Sequence, residues 1–87
     1  MADDDKMQQM DAWIDQVCEA LGVDRETVRQ VEPALLDMVA EVAHKASRPG
    51  GPITSFLVGY RAGQQGGDLS DAVDAQIAKV RAAIPIQ

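Results

Sequence analysis

Apolar residues recur every three or four positions near the start of the chain, a pattern that predicts an amphipathic helix. This helix should end at Gly22, because a glycine after the last apolar position favours a left-handed C-cap. Asp24 then has the position of an N-cap, and Val23 and Val28 have the spacing of a hydrophobic staple, so a short second helix is expected over about residues 25–31. The apolar positions of the first helix are Met10, Trp13, Ile14, Val17, Cys18 and Leu21.

Pro33 separates the second helix from a third. Proline disfavours helical geometry at the residue before it and suits the first turn of a new helix. The residues that follow give a broad apolar face, so we expect the third helix to be the central one and to end near Ala46. Its apolar positions are Leu35, Leu36, Met38, Val39, Val42, Ala43 and Ala46.

A fourth apolar stripe follows a segment rich in proline and glycine. Its start is open between two readings: Pro52 as the first helical residue, or Thr54 as the N-cap. Gly59 and Gly63 lie one turn apart, which favours a close helix crossing at this face and a C-cap at Gly63. The residues expected to face the core are Ile53, Phe56, Leu57 and Tyr60.

The last helix should begin after a loop over residues 64–67, with Asp68 as its N-cap. Its buried side is expected to carry Leu69, Val73, Ile77, Val80 and Ile84. No alternating β-pattern of useful length occurs in the sequence. The predicted fold is therefore all-α, with four to five short helices packed as a small orthogonal bundle.

The domain organisation follows from length and from the first residues. The string Asp-Asp-Asp-Lys resembles part of a protease-cleavage tag, so residues 1–6 are expected to be disordered or tag-derived. Residues 7–87 are then a single helical domain. A core of this size gives only a few kcal/mol of net stability, about 3–5. A homodimer would relieve that marginal stability.

The charge balance narrows the range of partners. Fourteen carboxylates face eight lysines and arginines, for a net charge of −6. Nucleic acids and anionic membranes bind basic surfaces, so neither is expected as a partner. No apolar run has the length of a membrane span and the first residues are acidic, which favours a cytoplasmic protein. Cys18, on the apolar side of its helix, is expected to be a buried thiol.

The segment from His44 to Ser55 is the candidate binding site. Basic residues end the third helix, and Gly50 and Gly51 lead into the fourth, where free N–H groups could meet a phosphate or a carboxylate. Cations at a helix C-terminus and Pro/Gly connectors also have ordinary structural roles, and a protein contact is the other alternative. The candidate anion- or partner-binding residues are His44, Arg48, Gly50, Gly51, Thr54 and Ser55.

Catalytic and metal sites are not expected. His44 is the single histidine, and no nucleophile or cluster of ligands has a spacing that would make it catalytic or metal-binding. The acidic positions Asp11, Asp15 and Glu19 lie on one side of the first helix and are expected to be solvated or to dock a basic partner. Arg25 and Arg29 could offset their charge. We predict no enzyme activity and no cofactor.

Several short motifs resemble a known family. They are Trp13, Leu21-Gly22, Leu35-Leu36-Asp37, Ala43-His44, Arg48-Pro49-x-x-Pro52 and Thr54-x-Phe56-Leu57-x-Gly59. Over residues 10–65 the chain resembles a small actinobacterial helical domain of unknown function, found alone or fused to molybdopterin-guanine dinucleotide biosynthesis proteins. Members often have small residues such as alanine between the two prolines, where this chain has Gly50 and Gly51.

The resemblance implies an association with molybdenum-cofactor biosynthesis through gene fusion, and it supplies no catalytic residues. The function predicted from the sequence is a non-enzymatic accessory domain that binds a protein partner, in association with that pathway. The alternative is a small-ligand module that binds a phosphate-bearing molecule at the loop and helix start over residues 44–55.

Overall fold

The computed structural model describes residues 2–85, with side chains from Asp5 onwards, and contains five helices and no strand in that range. They are α1 (Ala2–Leu21), α2 (Arg25–Arg29), α3 (Glu32–Lys45), α4 (Gly50–Gln65) and α5 (Leu69–Ala83). The all-α prediction is confirmed. Helix α1 includes residues 2–6, and the disorder expected for residues 1–6 stays a prediction. Their origin from a tag stays a prediction.

The turn between α1 and α2 has the predicted geometry. Gly22 has φ of 69°, the left-handed conformation that glycine adopts without steric cost. The N–H of Val23 donates to the carbonyl of Cys18 at 2.9 Å, and the N–H of Gly22 donates to Glu19 at 3.3 Å, which is a Schellman motif. The Asp24 carboxylate accepts the Glu26 N–H at 3.0 Å and caps α2.

Helix α3 is the central helix, as predicted. Pro33 lies in its first turn, and the helix ends at Lys45 with Ala46 as C-cap. Met38 is completely buried and Val42 nearly so. Helices α3, α4 and α5 pack against one another, whereas α1 packs mainly on α2.

Helix α4 differs from both predicted starts and from its predicted end. It begins at Gly50, because the Ser47 hydroxyl accepts the Gly50 N–H at 3.2 Å and so supports a turn two residues before Pro52. It continues through Gly63 to Gln65, and Gly66, with φ of 72°, is the C-cap instead. Since glycine is tolerated inside a helix, its presence at residue 63 did not end this one.

The close helix contact also lies at another glycine. A side chain added at Gly59 or Gly63 would meet nothing within 4 Å, so the predicted crossing there is wrong. At Gly51, by contrast, an added Cβ would lie 3.1 Å from Cγ1 of Val39 on α3. The missing side chain of Gly51 therefore allows α3 and α4 to approach each other.

Helix α5 completes the core. The Asp68 carboxylate accepts the Asp71 N–H at 2.9 Å, the predicted N-cap. Its predicted inner face is confirmed, with Val73 and Ile77 buried and the other positions partly buried against them. Cys18 is buried as predicted, yet the main core cluster contains no residue of α1. That cluster is Val31, Met38, Val42, Val58, Ala62, Ala72, Val73 and Ile77.

None of the described helices has the combination of length and apolar character needed to cross a membrane.

Candidate functional site

The large apolar side chains of α4 point outward. The prediction that they face the core is wrong: their exposed fractions lie between 55% and 67%. The buried side of α4 instead carries Gly51, Val58 and Ala62, which are small and let α4 lie close to α3 and α5. The exposed side chains are Ile53, Phe56, Leu57 and Tyr60, hereafter the α4 apolar face.

A groove runs along one side of this face. Phe56 and Tyr60 stack with ring centroids 6.2 Å apart and form one of its walls. The cavity is about 730 Å³ in volume, and its polar groups are limited to the hydroxyls of Ser55 and Tyr60 and the peptide backbone. The lining residues come from the α1–α2 turn, α3, α4 and the start of α5: Leu21, Val23, Val31, Leu35, Ser55, Phe56, Gly59, Tyr60, Leu69 and Val73.

The charged residues that adjoin the groove's lining residues in the sequence are of both signs. Asp24 directly follows the lining residue Val23, and Asp68 directly precedes the lining residue Leu69; both carboxylates are on exposed residues. No basic side chain lines the groove. Arg61 directly follows the lining residue Tyr60, so a partner would meet an apolar groove with charges of both signs near it in the sequence.

The apolar surface continues towards α1. A smaller hollow of about 200 Å³ lies between α1 and α3 and shares Leu35 and Ser55 with the groove. Met10 and Ile14 line it from α1, and Val39 lines it from α3. Helix α1 thus leaves part of the apolar surface of α3 uncovered.

Arg25 is the polar link between α1 and the rest of the molecule. Its guanidinium lies 2.8 Å from Asp15 and 3.2 Å from Asp11 on α1, and 3.2 Å from Glu32 on α3. Burial by itself would lower the pKa of Arg25, but the hydrogen bond to Asp15 and the charge of Glu32 outweigh it and raise the pKa above its ordinary value. Arg25 therefore offsets part of the acidic side of α1. Arg29 does not, since it pairs with Glu26 at 3.8 Å.

The predicted anion site lies at the turn from α3 to α4. His44 and Arg48 are exposed, and the guanidinium of Arg48 makes no ion pair within residues 5–85. The Gly50 N–H donates to the Ser47 carbonyl at 3.1 Å and to its hydroxyl at 3.2 Å, and the Gly51 N–H donates to the Arg48 carbonyl at 3.3 Å.

The flanking prolines have no N–H to offer. The first turn of α4 therefore does not present the free donors expected from the sequence. Thr54 and Ser55 are half-buried and line different cavities, Thr54 between α4 and α5 and Ser55 in the groove. The candidate residues are near in sequence, but the fold does not direct them to one point.

A third cavity, of about 270 Å³, lies along the seam of α4 and α5. Sequence reasoning missed its polar residues Arg61, Gln76 and Lys79. A signal for one of them was present, because Gln76 lies three residues after Val73 and four before Val80, within the apolar stripe of α5. The lining residues, hereafter the α4–α5 cleft, are Thr54, Leu57, Val58, Arg61, Gln76, Lys79, Val80 and Ala83.

Comparison with known proteins identifies one family. A family model described as "Domain of unknown function (DUF6457)" matches residues 5–85. The match includes α5, beyond the segment that carried the resemblance in the sequence. Comparison with curated proteins and with solved structures finds no match.

Proposed function

The chain belongs to the family described as "Domain of unknown function (DUF6457)", and we propose that it is a non-enzymatic domain whose groove beside α4 binds a helix of a partner protein. The observation that carries this proposal is the α4 apolar face with its stacked Phe56 and Tyr60. Monomeric proteins seldom expose a contiguous apolar patch of this kind unless it is used for binding.

The energy available at this face is large. Covering one phenylalanine or leucine side chain contributes about 1.5–3 kcal/mol. Phe56 and Tyr60 are 67% and 56% exposed, so most of this energy is unused in the free chain. Aromatic residues at the centre of a patch are also the residues that most often dominate binding energy. The surface thus has the character of an interface rather than of a solvated helix face.

A helix fits this groove better than an extended peptide. An extended backbone needs hydrogen-bond partners, and the groove offers few beyond the Ser55 and Tyr60 hydroxyls. A helix satisfies its own backbone and can lay an apolar stripe into the groove. Gly59 supports the same choice, because it lines the groove and has nothing within 4 Å of a Cβ position, which leaves room for a second backbone to approach.

The net charge of the chain favours a basic partner. With a net charge of −6 on the chain and no basic side chain lining the groove, an apolar helix flanked by lysine or arginine is favoured electrostatically. A second copy of this chain carries the same net negative charge, which opposes a symmetric dimer. The homodimer predicted from the sequence is therefore the alternative occupant, and sedimentation velocity over a range of concentrations distinguishes it.

The test uses a labelled synthetic helix of leucine and lysine and measures binding by fluorescence anisotropy. Replacing both Phe56 and Tyr60 with serine should weaken binding about ten-fold or more, since each removes a hot-spot contact of at least about 1 kcal/mol. Trp13→Ser is the matched control, because Trp13 is also exposed, at 60%, but lies outside the groove. Equal loss in all variants, or equal binding of a leucine–glutamate helix, contradicts the proposal.

We propose further that the partner acts in molybdenum-cofactor biosynthesis. This rests on the resemblance of residues 10–65 alone, as does the expectation of an actinobacterial source. Cross-linking in native extract, with the Phe56/Tyr60 double-serine variant as the control, should recover a molybdopterin-guanine dinucleotide biosynthesis protein only with the unaltered chain. Recovery of unrelated proteins would remove this part of the proposal. The cytoplasmic location stays a prediction.

The alternative of phosphate binding at residues 44–55 also stays a prediction. It would depend on the exposed Arg48 side chain, because the N–H groups of Gly50 and Gly51 are already hydrogen-bonded. Loss of inorganic phosphate binding in Arg48→Ala is the measurement that would favour it.

A further inference from the structure

We infer that the α4–α5 cleft binds a small organic acid, a carboxylate or a phosphate monoester that carries a short apolar chain. Each helix contributes four lining residues, at the first, fourth, fifth and eighth positions of one helix face. The cleft therefore follows the seam between α4 and α5. Val58 and Gln76 are the buried residues of the cleft. The cationic residues Arg61 and Lys79 also line it and are exposed.

Gln76 is the observation that points to a ligand. The residue is only 6% exposed, and its Nε2 atom has no hydrogen-bond partner. A buried amide left without a partner costs about 1–3 kcal/mol, and such groups are rare in folded proteins unless they serve a purpose. Gln76 lines the cleft, and rotation of its carboxamide would bring this donor to an acceptor oxygen bound there.

The charges around Gln76 specify an acid. Arg61 and Lys79 line the cleft, and no carboxylate does, although carboxylates outnumber cations in the chain. Lys79 makes no ion pair within the described residues, and Arg61 uses Nη1 for a 3.2 Å hydrogen bond to Gln64. Arg81, on the same helix as Lys79, is by contrast neutralised by Glu41 at 3.0 Å.

Thr54 adds a hydroxyl to this set. All four polar side chains can therefore donate hydrogen bonds, as an anionic head group requires.

The walls specify the rest of the ligand. Leu57, Val80 and Ala83 are apolar and would contact an aliphatic chain rather than a hydrated ion. A volume of about 270 Å³ is below the usual range for drug-sized ligands, about 300–1,000 Å³, so the chain must be short. An inorganic anion would leave these walls without a contact.

The experiment is an NMR titration of the full chain with sodium hexanoate and, separately, hexyl phosphate. Either should shift the amide resonances of α4 and α5 around Arg61 and Lys79 in a saturable way. Which of them binds more tightly decides between a carboxylate and a phosphate head group. Hexan-1-ol lacks the charge and inorganic phosphate lacks the chain, so both should bind at least about ten-fold more weakly, the factor expected for losing a charge-assisted contact. No saturable shift with either acid overturns the inference.

Variants locate the site. Lys79→Met and Arg61→Met should each raise Kd about five-fold or more, because each removes a charged donor while keeping an apolar stem. Gln76→Met should weaken binding without lowering the melting temperature, since it removes the unpartnered amide and fills similar space. Arg48→Ala is the matched control, a free cation outside the cleft, and should bind as the unaltered chain does. Weaker binding of the acid by Arg48→Ala, together with unchanged binding by Lys79→Met, would place the acid at the α3–α4 turn and contradict the inference.

Failure here is distinguishable from failure of the proposed function. None of these substitutions touches the groove, and the leucine–lysine helix should bind all of them equally.

Discussion

Gly51 shows how a single missing side chain sets the distance between two helices. An added Cβ would lie 3.1 Å from Cγ1 and 3.4 Å from the carbonyl oxygen of Val39. The first distance is the tight one, and the branched side chain of Val39 has little rotational freedom with which to relieve it. The glycine pattern of the sequence suggested Gly59 and Gly63 for this role, but spacing along one helix does not say which face the neighbouring helix covers.

We predict opposite effects of alanine at two glycines of α4. Gly51→Ala should lower the free energy of unfolding by about 1 kcal/mol or more, because overpacking a close contact typically costs about 1–3 kcal/mol. Gly63→Ala should raise it by about 0.5–1 kcal/mol, since alanine is the better helix former and nothing lies within 4 Å. Urea unfolding followed by circular dichroism measures both. Equal effects at the two positions would show that Val39 moves aside.

At the scale of elements, the ends of helices were predictable and their faces were less so. Gly22, Asp24, Pro33 and Asp68 all act where the sequence placed them, because caps depend on a few neighbouring atoms. Both ends of α4 were exceptions, because the helix begins before Pro52 and continues past Gly63. The Ser47 hydroxyl accepts the Gly50 N–H and supports a turn before Pro52. The glycines at residues 50 and 51 did not predict that the helix would begin there.

The face of α4 could not be predicted from periodicity alone. The stripe containing Phe56 and Tyr60 is more hydrophobic than the stripe containing Val58 and Ala62, so it was assigned to the core. Packing density decides otherwise, because small side chains let α4 approach α3 and α5. For the same reason, the groove and most of the α4–α5 cleft could not be predicted from the sequence.

Arg25 controls how firmly α1 is attached. We predict that Arg25→Met increases amide hydrogen exchange in α1 and in the first turn of α3, and leaves α4, α5 and the rest of α3 unchanged, because the bonds to Asp11, Asp15 and Glu32 are lost while the core is not touched. Arg29→Met is the control, since Arg29 pairs only with Glu26 of its own helix. Uniform acceleration throughout the chain would mean that α1 belongs to the same cooperative unit as the core. The raised pKa keeps the Arg25 guanidinium charged until strongly alkaline pH. Its ion pairs with α1 should therefore be lost on raising the pH only in that range.

The molecule as a whole is flat and extended for its length. Its extents are 36 × 36 × 18 Å, and its radius of gyration is 13.7 Å, where a compact chain of this size has about 12 Å. The cause is that α1 lies beside the three-helix core rather than over it. A second result is that large apolar residues such as Leu21 and Trp13 remain exposed. The small core and the exposed apolar surface thus both follow from the position of α1 beside the core.

Stability should depend heavily on Met38. The side chain is fully buried at the centre of a small core, and a methionine-to-alanine change at such a site costs about 2–5 kcal/mol. Since a domain of this size has about 3–5 kcal/mol in total, Met38→Ala should be largely unfolded at 37 °C. Met7→Ala, at an exposed position, should change the melting temperature little. A cooperative transition of unchanged midpoint in Met38→Ala would contradict the assignment of the core.

The α4 apolar face has a consequence for the protein in the cell. If this face binds a partner as proposed, chains synthesised in excess of that partner would keep it uncovered, and quality-control chaperones and proteases recognise such surfaces. The steady-state abundance of the protein should then follow expression of the partner, and co-expression should increase its half-life.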